Sequence, residues 1–311
     1  MELVDIVLPV GSDHKYLPDA LKSIMNSRDV KTRILLIDNS INGIQDLKQR
    51  IRKTDKIFRE EKRGFAHSVN APIMQGHIFE NYVAIMNSDD ISHPDRFIKQ
   101  INKLKSTKTD VNLCSVQNIK RGKPAKSFFG SLTYNEYSPL LLALGAYGIE
   151  PMWVTTPDWW VKNAFRNTEI HPDIVDLECA LRSFPTTKFS TVSEKLYIYR
   201  KHSGQMSRNL ATKVDFLEIR ELASHFFGIY GVEFPSFQTF YSIRPHNVFK
   251  EAIKGKDRDI LLNYLEVIKN RIFLDITDKK MKNEIEAIID IRALTLSHFK
   301  SGLRYLGISF I

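Results

Sequence analysis

Apolar residues come in two alternating rhythms over the first 120 positions. Residues 3–8 (Leu-Val-Asp-Ile-Val-Leu) form a run of the buried-strand type, closed by Pro9. Leu17, Ala20, Leu21, Ile24 and Met25 then recur at helical spacing and define one apolar face. A second run, Arg33 to Ile37, stops at Asp38-Asn39-Ser40, and a helix over 43–52 and a short strand at Ile57 and Phe58 follow. Gly64 to Met74 reads as a helix, 82–86 as a strand, Ile98, Ile101 and Leu104 as a helix face, and Val111 to Val116 as a strand. Such alternation predicts an α/β fold built on a parallel-centred sheet with right-handed crossovers.

The stretch 120–205 is less regular and richer in aromatics. Lys120 to Lys126, with Gly122 and Pro124, reads as a loop. Short helices are expected at 139–147 and 158–165, a longer one at 174–183, and a strand at 195–200. Beyond about residue 210 the spacing turns wholly helical, with faces at Phe216, Leu222, Phe226 and Phe227, at Leu261 to Ile272, and at Ile285 to Leu296. The chain therefore divides at 208/209 into an α/β domain (1–208) and a helical C-terminal extension (209–311). The last stretch, 298–311, carries Lys300 and Arg304 among apolar residues. It reads either as a terminal core helix or as a segment touching a membrane surface.

Composition narrows the class. With 311 residues, 43% hydrophobic and 11% aromatic, the chain is globular rather than disordered. Cys114 and Cys179 show neither metal-type spacing nor a disulfide framework, which fits a reducing, cytoplasmic setting. Glu2, Asp5 and Pro9 interrupt the first apolar stretch, which suits a strand better than a secretion signal. No run approaches the roughly 18 apolar residues that span a bilayer. The net charge of +9 is concentrated: residues 96–126 hold nine Lys and Arg against Asp110 alone. That flank can attract anionic nucleotides, face acidic lipid at the inner membrane surface, or serve as a solvated helix face. No nucleic-acid reader motif accompanies it, and nucleic acid is not expected as a partner.

The densest chemistry lies at Tyr82-Val83-Ala84-Ile85-Met86-Asn87-Ser88-Asp89-Asp90, where an apolar strand ends abruptly in adjacent carboxylates. Carboxylates at the carboxyl end of a sheet strand sit where α/β folds bind ligands. They also suit a hard cation that bridges to a substrate phosphate. The alternative is that Asp89 and Asp90 cap the helix that follows.

In order, these landmarks resemble the family 2 inverting glycosyltransferases, which use the nucleotide-binding GT-A fold with its mixed, mostly parallel central sheet. The resemblance rests on Asp5-Ile6-Val7-Leu8-Pro9-Val10, Leu36-Ile37-Asp38-Asn39-Ser40, Gly64 through Asn70, and Met86 to Asp90 with Pro94. Further on come Asp176-Leu177-Glu178, Leu181-Arg182, and Tyr199-Arg200-Lys201-His202 ahead of Ser207, so the similarity spans roughly residues 3–208.

The resemblance implies a nucleotide-sugar donor, UDP-linked by preference, and a surface-glycan acceptor, free or lipid-linked. Asp38 falls on the base or ribose side, Pro9 and Val10 beneath the base, and Lys62 and Arg63 beside the nucleotide. Asn87 and Ser88 contact the donor, Asp89 and His202 hold Mn²⁺ or Mg²⁺, and Asp90 supports them. Arg200, Ser203 and Ser207 approach the diphosphate. Asp176 is the general base, with Asp173 and Glu178 as the fallback candidates should that local alignment slip. Trp153 and Trp159, and less so Trp160, offer faces on which an acceptor sugar stacks. Three positions depart from the family pattern: Asn87 replaces an acid, Val69 an arginine and Val175 an acid. They keep open a catalytically silent nucleotide- or glycan-binding relative.

Overall fold

The computed structural model describes residues 1–11, 14–41, 43–62, 64–125, 150–166, 175–183 and 186–205, with isolated helical positions between 224 and 283. Proximity along the backbone groups Met1–Glu136 with Gly148–Val214 in one compact unit, and Tyr137–Tyr147 with Asp215–Ile311 in another. Helices expected at 139–147 and from 210 onward lie outside the described residues, apart from those isolated positions.

Strands β1 (Leu3–Val10), β2 (Lys31–Asp38), β3 (Lys56–Arg59) and β4 (Tyr82–Ile85) form the parallel half of a nine-stranded sheet. Helices α1 (Leu17–Met25), α2 (Leu47–Arg50) and α3 (Phe65–Met74) make the crossovers. Val4, Ile6, Val7 and Leu8 of β1 and Ile34 to Ile37 of β2 are fully buried. Strands covered on both faces must read as continuous apolar runs, which is why these two were visible in the sequence.

The mixed half adds β5 (Ile91–Ser92), β6 (Val111–Lys120), β7 (Lys123–Ala125), β8 (Trp153–Thr155) and β9 (Phe189–Lys201). The order across the sheet is β3-β2-β1-β4-β8-β6-β9-β5, with β7 paired to β6. β8 runs antiparallel to both β4 and β6, whereas β9 is parallel to β6. Helix α4 (Arg96–Thr107) buries Phe97, Ile101 and Leu104, and α5 (Pro157–Lys162) and α6 (Val175–Ser183) complete the described α-helices of this unit. Gln100 of α4 donates to the carbonyls of Asn112 and Met152 at 3.0 and 2.9 Å, tying β6 to the segment before β8.

Several expectations shift. Pro9 does not end β1; it pairs with Ile37 of β2. The Val7 carbonyl accepts from Met86 at 3.1 Å, so residues of its parity face β4. Pairing with β4 runs only from Val4 to Val7. The missing N–H of Pro9 thus falls where that ladder has already stopped, the one place a central strand tolerates it. The helix over 43–52 shrinks to four residues. Lys120 to Ala125 is a hairpin rather than a loop: Lys120 pairs with Lys123 across Arg121 (φ 52°) and Gly122 (φ 76°), the twin left-handed residues of a two-residue turn.

At the amino end of the sheet, Asp5 is fully buried and gripped by Arg33, with Nε to Oδ1 at 2.6 Å and Nη2 to Oδ2 at 2.8 Å. His77 lies beside this pair, its Nε2 3.5 Å from Asp5 Oδ2 and its ring edge-on to Phe58 and Phe79. Lys56 Nζ approaches His77 Nδ1 at 3.3 Å and can only donate, which fixes the neutral tautomer protonated at Nε2. Burial chiefly, with Lys56 and Arg33, depresses the imidazole pKa despite Asp5. Below about pH 6.5 the unfolded chain therefore takes up a proton that the folded chain refuses, and stability falls on acidification. The urea midpoint should drop between about pH 7 and pH 5, and His77→Phe should flatten that dependence.

Candidate active site

The chain leaves β1 for β2 and β3 on one side, then returns to β4 on the other. This reversal opens a crevice at the carboxyl ends of β1 and β4, the position where open α/β sheets take ligands. Val10, Asp38 and Arg59 lie in register at that edge, and Asn87 to Asp90 leave β4 beside them.

Asp38 is buried and internally engaged. Its Oδ1 accepts from the amide and hydroxyl of Ser40 at 3.1 and 2.6 Å, and its Oδ2 from the Ile44 amide at 3.0 Å. Arg59 Nη1 stands 3.2 Å away. Burial pushes its pKa up, but Ser40, the backbone donors and Arg59 outweigh burial and hold it below the usual carboxylate range. The Ser40 contact is an Asx turn, so Asp38 shapes the loop after β2 as well as bordering the crevice. Asn39, which sequence reasoning passed over, donates to the carbonyls of Glu60 and Lys62 at 2.7 and 2.8 Å and fixes the loop before α3.

Asp89 and His202 converge. Asp89 follows β4, His202 follows β9, and His202 Nε2 lies 2.8 Å from Asp89 Oδ2. Both side chains stay partly accessible, at 29% and 14%. The helix-capping reading does not hold, since α4 begins at Arg96 and β5 intervenes. Asp90 is instead fully buried: Tyr197 Oη donates to its Oδ2 at 2.5 Å and the Arg200 amide to its Oδ1 at 2.7 Å. Burial, then the charge of Asp89, push the Asp90 pKa up to about 8. Asn87 turns its carboxamide toward Asp90 Oδ2 at 3.4 Å.

One carboxylate and one imidazole make a mixed O/N donor pair, which suits Mn²⁺ better than the oxygen-preferring Mg²⁺. Among the described residues no group of three or more metal-ligating side chains gathers. Asp89 and His202 would, among the described residues, supply two donors to such a cation.

Arg200 is not free to reach a phosphate. Its Nε donates to the Asp89 carbonyl at 2.9 Å, its Nη2 bonds Asp19 at 3.0 Å, and its guanidinium lies 4.4 Å over the Tyr16 ring. Tyr16 also meets the His202 ring at 5.0 Å. This aromatic from the loop before α1 was missed, because its partners lie some 185 positions away.

Asp176 occupies the first turn of α6 and is buried at 4%, not an exposed helix carboxylate. Glu178 is committed elsewhere: Arg182 grips it through Nε at 2.7 Å and Nη2 at 3.1 Å, with Arg166 at 3.6 Å. Cys179 Sγ and Arg182 Nη2 bond the carbonyls of Asn163 and Ala164 at 3.3 and 3.1 Å. Asn70 of α3 clasps the Phe165 backbone from both sides, accepting from its amide at 3.1 Å and donating to its carbonyl. The helix bearing Asp176 is thereby tied to α3, which begins just past the carboxyl end of β3.

The tryptophans correct an expectation. Trp153, Trp159 and Trp160 are 2%, 6% and 2% exposed. Trp153 stacks on Phe165 at 6.2 Å and meets Trp159 edge-on at 5.8 Å, while Trp159 Nε1 donates to Thr187 at 2.8 Å. These rings are core, with no free face for an acceptor sugar. Val69 is likewise fully buried, so no cation stands at that helix position. Ser88 lies half-buried between Asn87 and Asp89, and Ser203 is exposed. Arg63, Asp173 and Ser207 lie outside the described residues.

A parallel β3-β2-β1-β4 half, a mixed half, and carboxylates at the β1/β4 crevice define the GT-A fold. Residues 5–142 match the family model "Glycosyl transferase family 2", so the likeness to family 2 glycosyltransferases holds there. The fold is similar to S. aureus TarS 1-349 in complex with UDP-GlcNAc, at 14% identity and TM-score 0.59, covering 97% of this chain and 92% of that one. Against the same fragment in complex with UDP the values are 14%, 0.56, 97% and 92%. Against longer S. aureus TarS they are 15% and 0.58, covering 95% of this chain and 55% of that one. No curated protein matches in sequence. No described helix is long and apolar enough to cross a membrane.

Proposed function

We propose that the protein is an inverting glycosyltransferase, moving a sugar from a nucleotide diphosphate donor to a hydroxyl of a surface-glycan acceptor. The observation that carries this reading is the meeting of Asp89 and His202 at 2.8 Å beside the β1/β4 crevice of a GT-A fold. UDP-GlcNAc and UDP in the TarS structures support a uridine diphosphate sugar as the donor class.

In this reading Val10 and Asp38 border the nucleoside, with Asn87 and Ser88 at the ribose. Asp89 and His202 hold the divalent cation, which when bound neutralises charge building on the departing diphosphate. Asp176 takes the proton of the acceptor hydroxyl as its oxygen bonds to the anomeric carbon. The bond from that carbon to the diphosphate oxygen breaks on the opposite face, and its electron pair leaves with the nucleotide. One displacement inverts the anomeric centre.

The basic flank is weaker than its sequence suggests as a contact for an anionic inner leaflet. Arg96 is fully buried, and Lys99 and Lys105 are ion-paired with Glu194 and Glu2. A lipid-linked acceptor remains part of the proposal through the glycan it carries.

The test is a transfer assay over a panel of nucleotide sugars and glycan acceptors with Mn²⁺, the product's anomeric configuration read by NMR. Inverted product supports the reading, and retained configuration contradicts it. Donor binding without turnover across the panel would favour the silent relative.

A further inference from the structure

Three buried polar side chains outside the chemistry above surround the turn that presents His202: Asp90, Tyr197 and Gln205, at 0%, 0% and 7% exposure. Tyr197 joins β9 to the loop after β4. Its hydroxyl donates to Asp90 Oδ2 at 2.5 Å and accepts from the Asn87 amide at 3.4 Å. Its ring is held in turn by the buried Arg96 guanidinium, 4.9 Å from the centroid. Gln205 closes the other side of the turn. Its Nε2 donates to the Arg200 carbonyl at 2.7 Å, and its Oε1 accepts from the His202 amide at 3.2 Å.

The ladder that carries this segment is interrupted just before it and resumes from Tyr197 to Lys201. Pairing of β9 with β6 shifts register twice, between Cys114 and Ser115 and again before Val116. Val116 then pairs with Tyr197, the first β9 residue after the second shift. Bulges of this kind re-aim a strand and are frequent beside active sites. A re-aimed strand needs directional bonds to set where its end points, and the hydroxyl of Tyr197 sits where that need begins.

We infer that Tyr197 and Gln205 are positioning residues. Tyr197 locks β9 onto the Asn87–Asp90 loop, and Gln205 shapes the 200–205 turn, so that His202 Nε2 faces Asp89 Oδ2. This rests on the reading of Asp89 and His202 as cation ligands. Partners one step behind a metal ligand typically change affinity by about 10- to 100-fold when removed.

The test measures Mn²⁺ binding in the presence of UDP, from the electron paramagnetic resonance signal of free Mn²⁺, for wild type, Tyr197→Phe and Gln205→Ala. Both variants should bind Mn²⁺ about 10- to 100-fold more weakly, while UDP affinity measured in chelator stays at the wild-type value. A merely structural role would weaken both affinities together. Gln205 lies at the rim of the core, so its variant decides the matter should Tyr197→Phe fail to fold. Wild-type Mn²⁺ affinity in the folded variants overturns the inference alone. Absence of Mn²⁺-dependent UDP binding in the wild-type protein overturns the functional reading, and the inference with it.

Discussion

Asp176→Asn should lower the turnover of sugar transfer by about 10²- to 10⁴-fold, the usual worth of a general base, with donor affinity unchanged. The substitution preserves size and shape within a buried helical turn, exchanging one acceptor oxygen for an amide donor, so the fold should tolerate it. What it removes is the capacity to take a proton. Glu178→Gln is the informative comparison. The Glu178 carboxylate is buried and held bidentately by Arg182, and the same helix is anchored to the backbone at Asn163 and Ala164. Its loss weakens a buried charge pair, so the expected result is a lower melting temperature with turnover per folded molecule largely retained. Measuring turnover and melting temperature for both variants separates proton transfer from packing. Equal turnover losses with equal destabilisation would remove Asp176 from its role.

Asp89→Ala should abolish Mn²⁺-dependent donor binding, weakening it by at least about 100-fold, since a direct ligand outweighs its supporting partners. The cause is local. Only Asp89 and His202 converge on the site among the described residues, and the carboxylate supplies its negative charge, because Asp90 is buried behind it and bonded to Tyr197 and the Arg200 amide. His202→Ala should act in the same direction but less, as it removes a neutral donor. Calorimetric titration of UDP with and without Mn²⁺ reads the effect. Unchanged Mn²⁺ dependence in Asp89→Ala would place the cation elsewhere.

Legibility in the sequence followed the range of the interactions. The parallel half was readable because β1, β2 and β4 each carry a run of buried apolar residues (Ile6 to Leu8, Ile34 to Ile37, Val83 to Ile85), and Asp38 and Asp89 stood out as charges at or just past the ends of such runs. The two-residue β5 and the three-residue β8 are too short to carry a period, and each exists only through its pairing partners. Trp153 looked like a ligand platform because composition does not reveal which way a ring faces. The structure packs it against Phe165 and Trp159. Tyr16 and Tyr197, which help arrange the site, were hard to find for the opposite reason, and Gln205, though bonded only three and five positions away, carries no pattern that marks it. Tyr197 lies 107 positions from Asp90 and His202 lies 113 from Asp89, so no local pattern announces either contact. Asp90 was noticed, but its burial depends on Tyr197 and the Arg200 amide of β9, 107 and 110 positions away.

The most direct test of the central claim is calorimetric titration of UDP into the wild-type protein and Asp89→Ala, each with Mn²⁺ and with chelator. The account predicts that Mn²⁺ tightens UDP binding to the wild-type protein and leaves Asp89→Ala at its chelator value. UDP binding that ignores Mn²⁺ in both proteins, or no UDP binding at all, would contradict it.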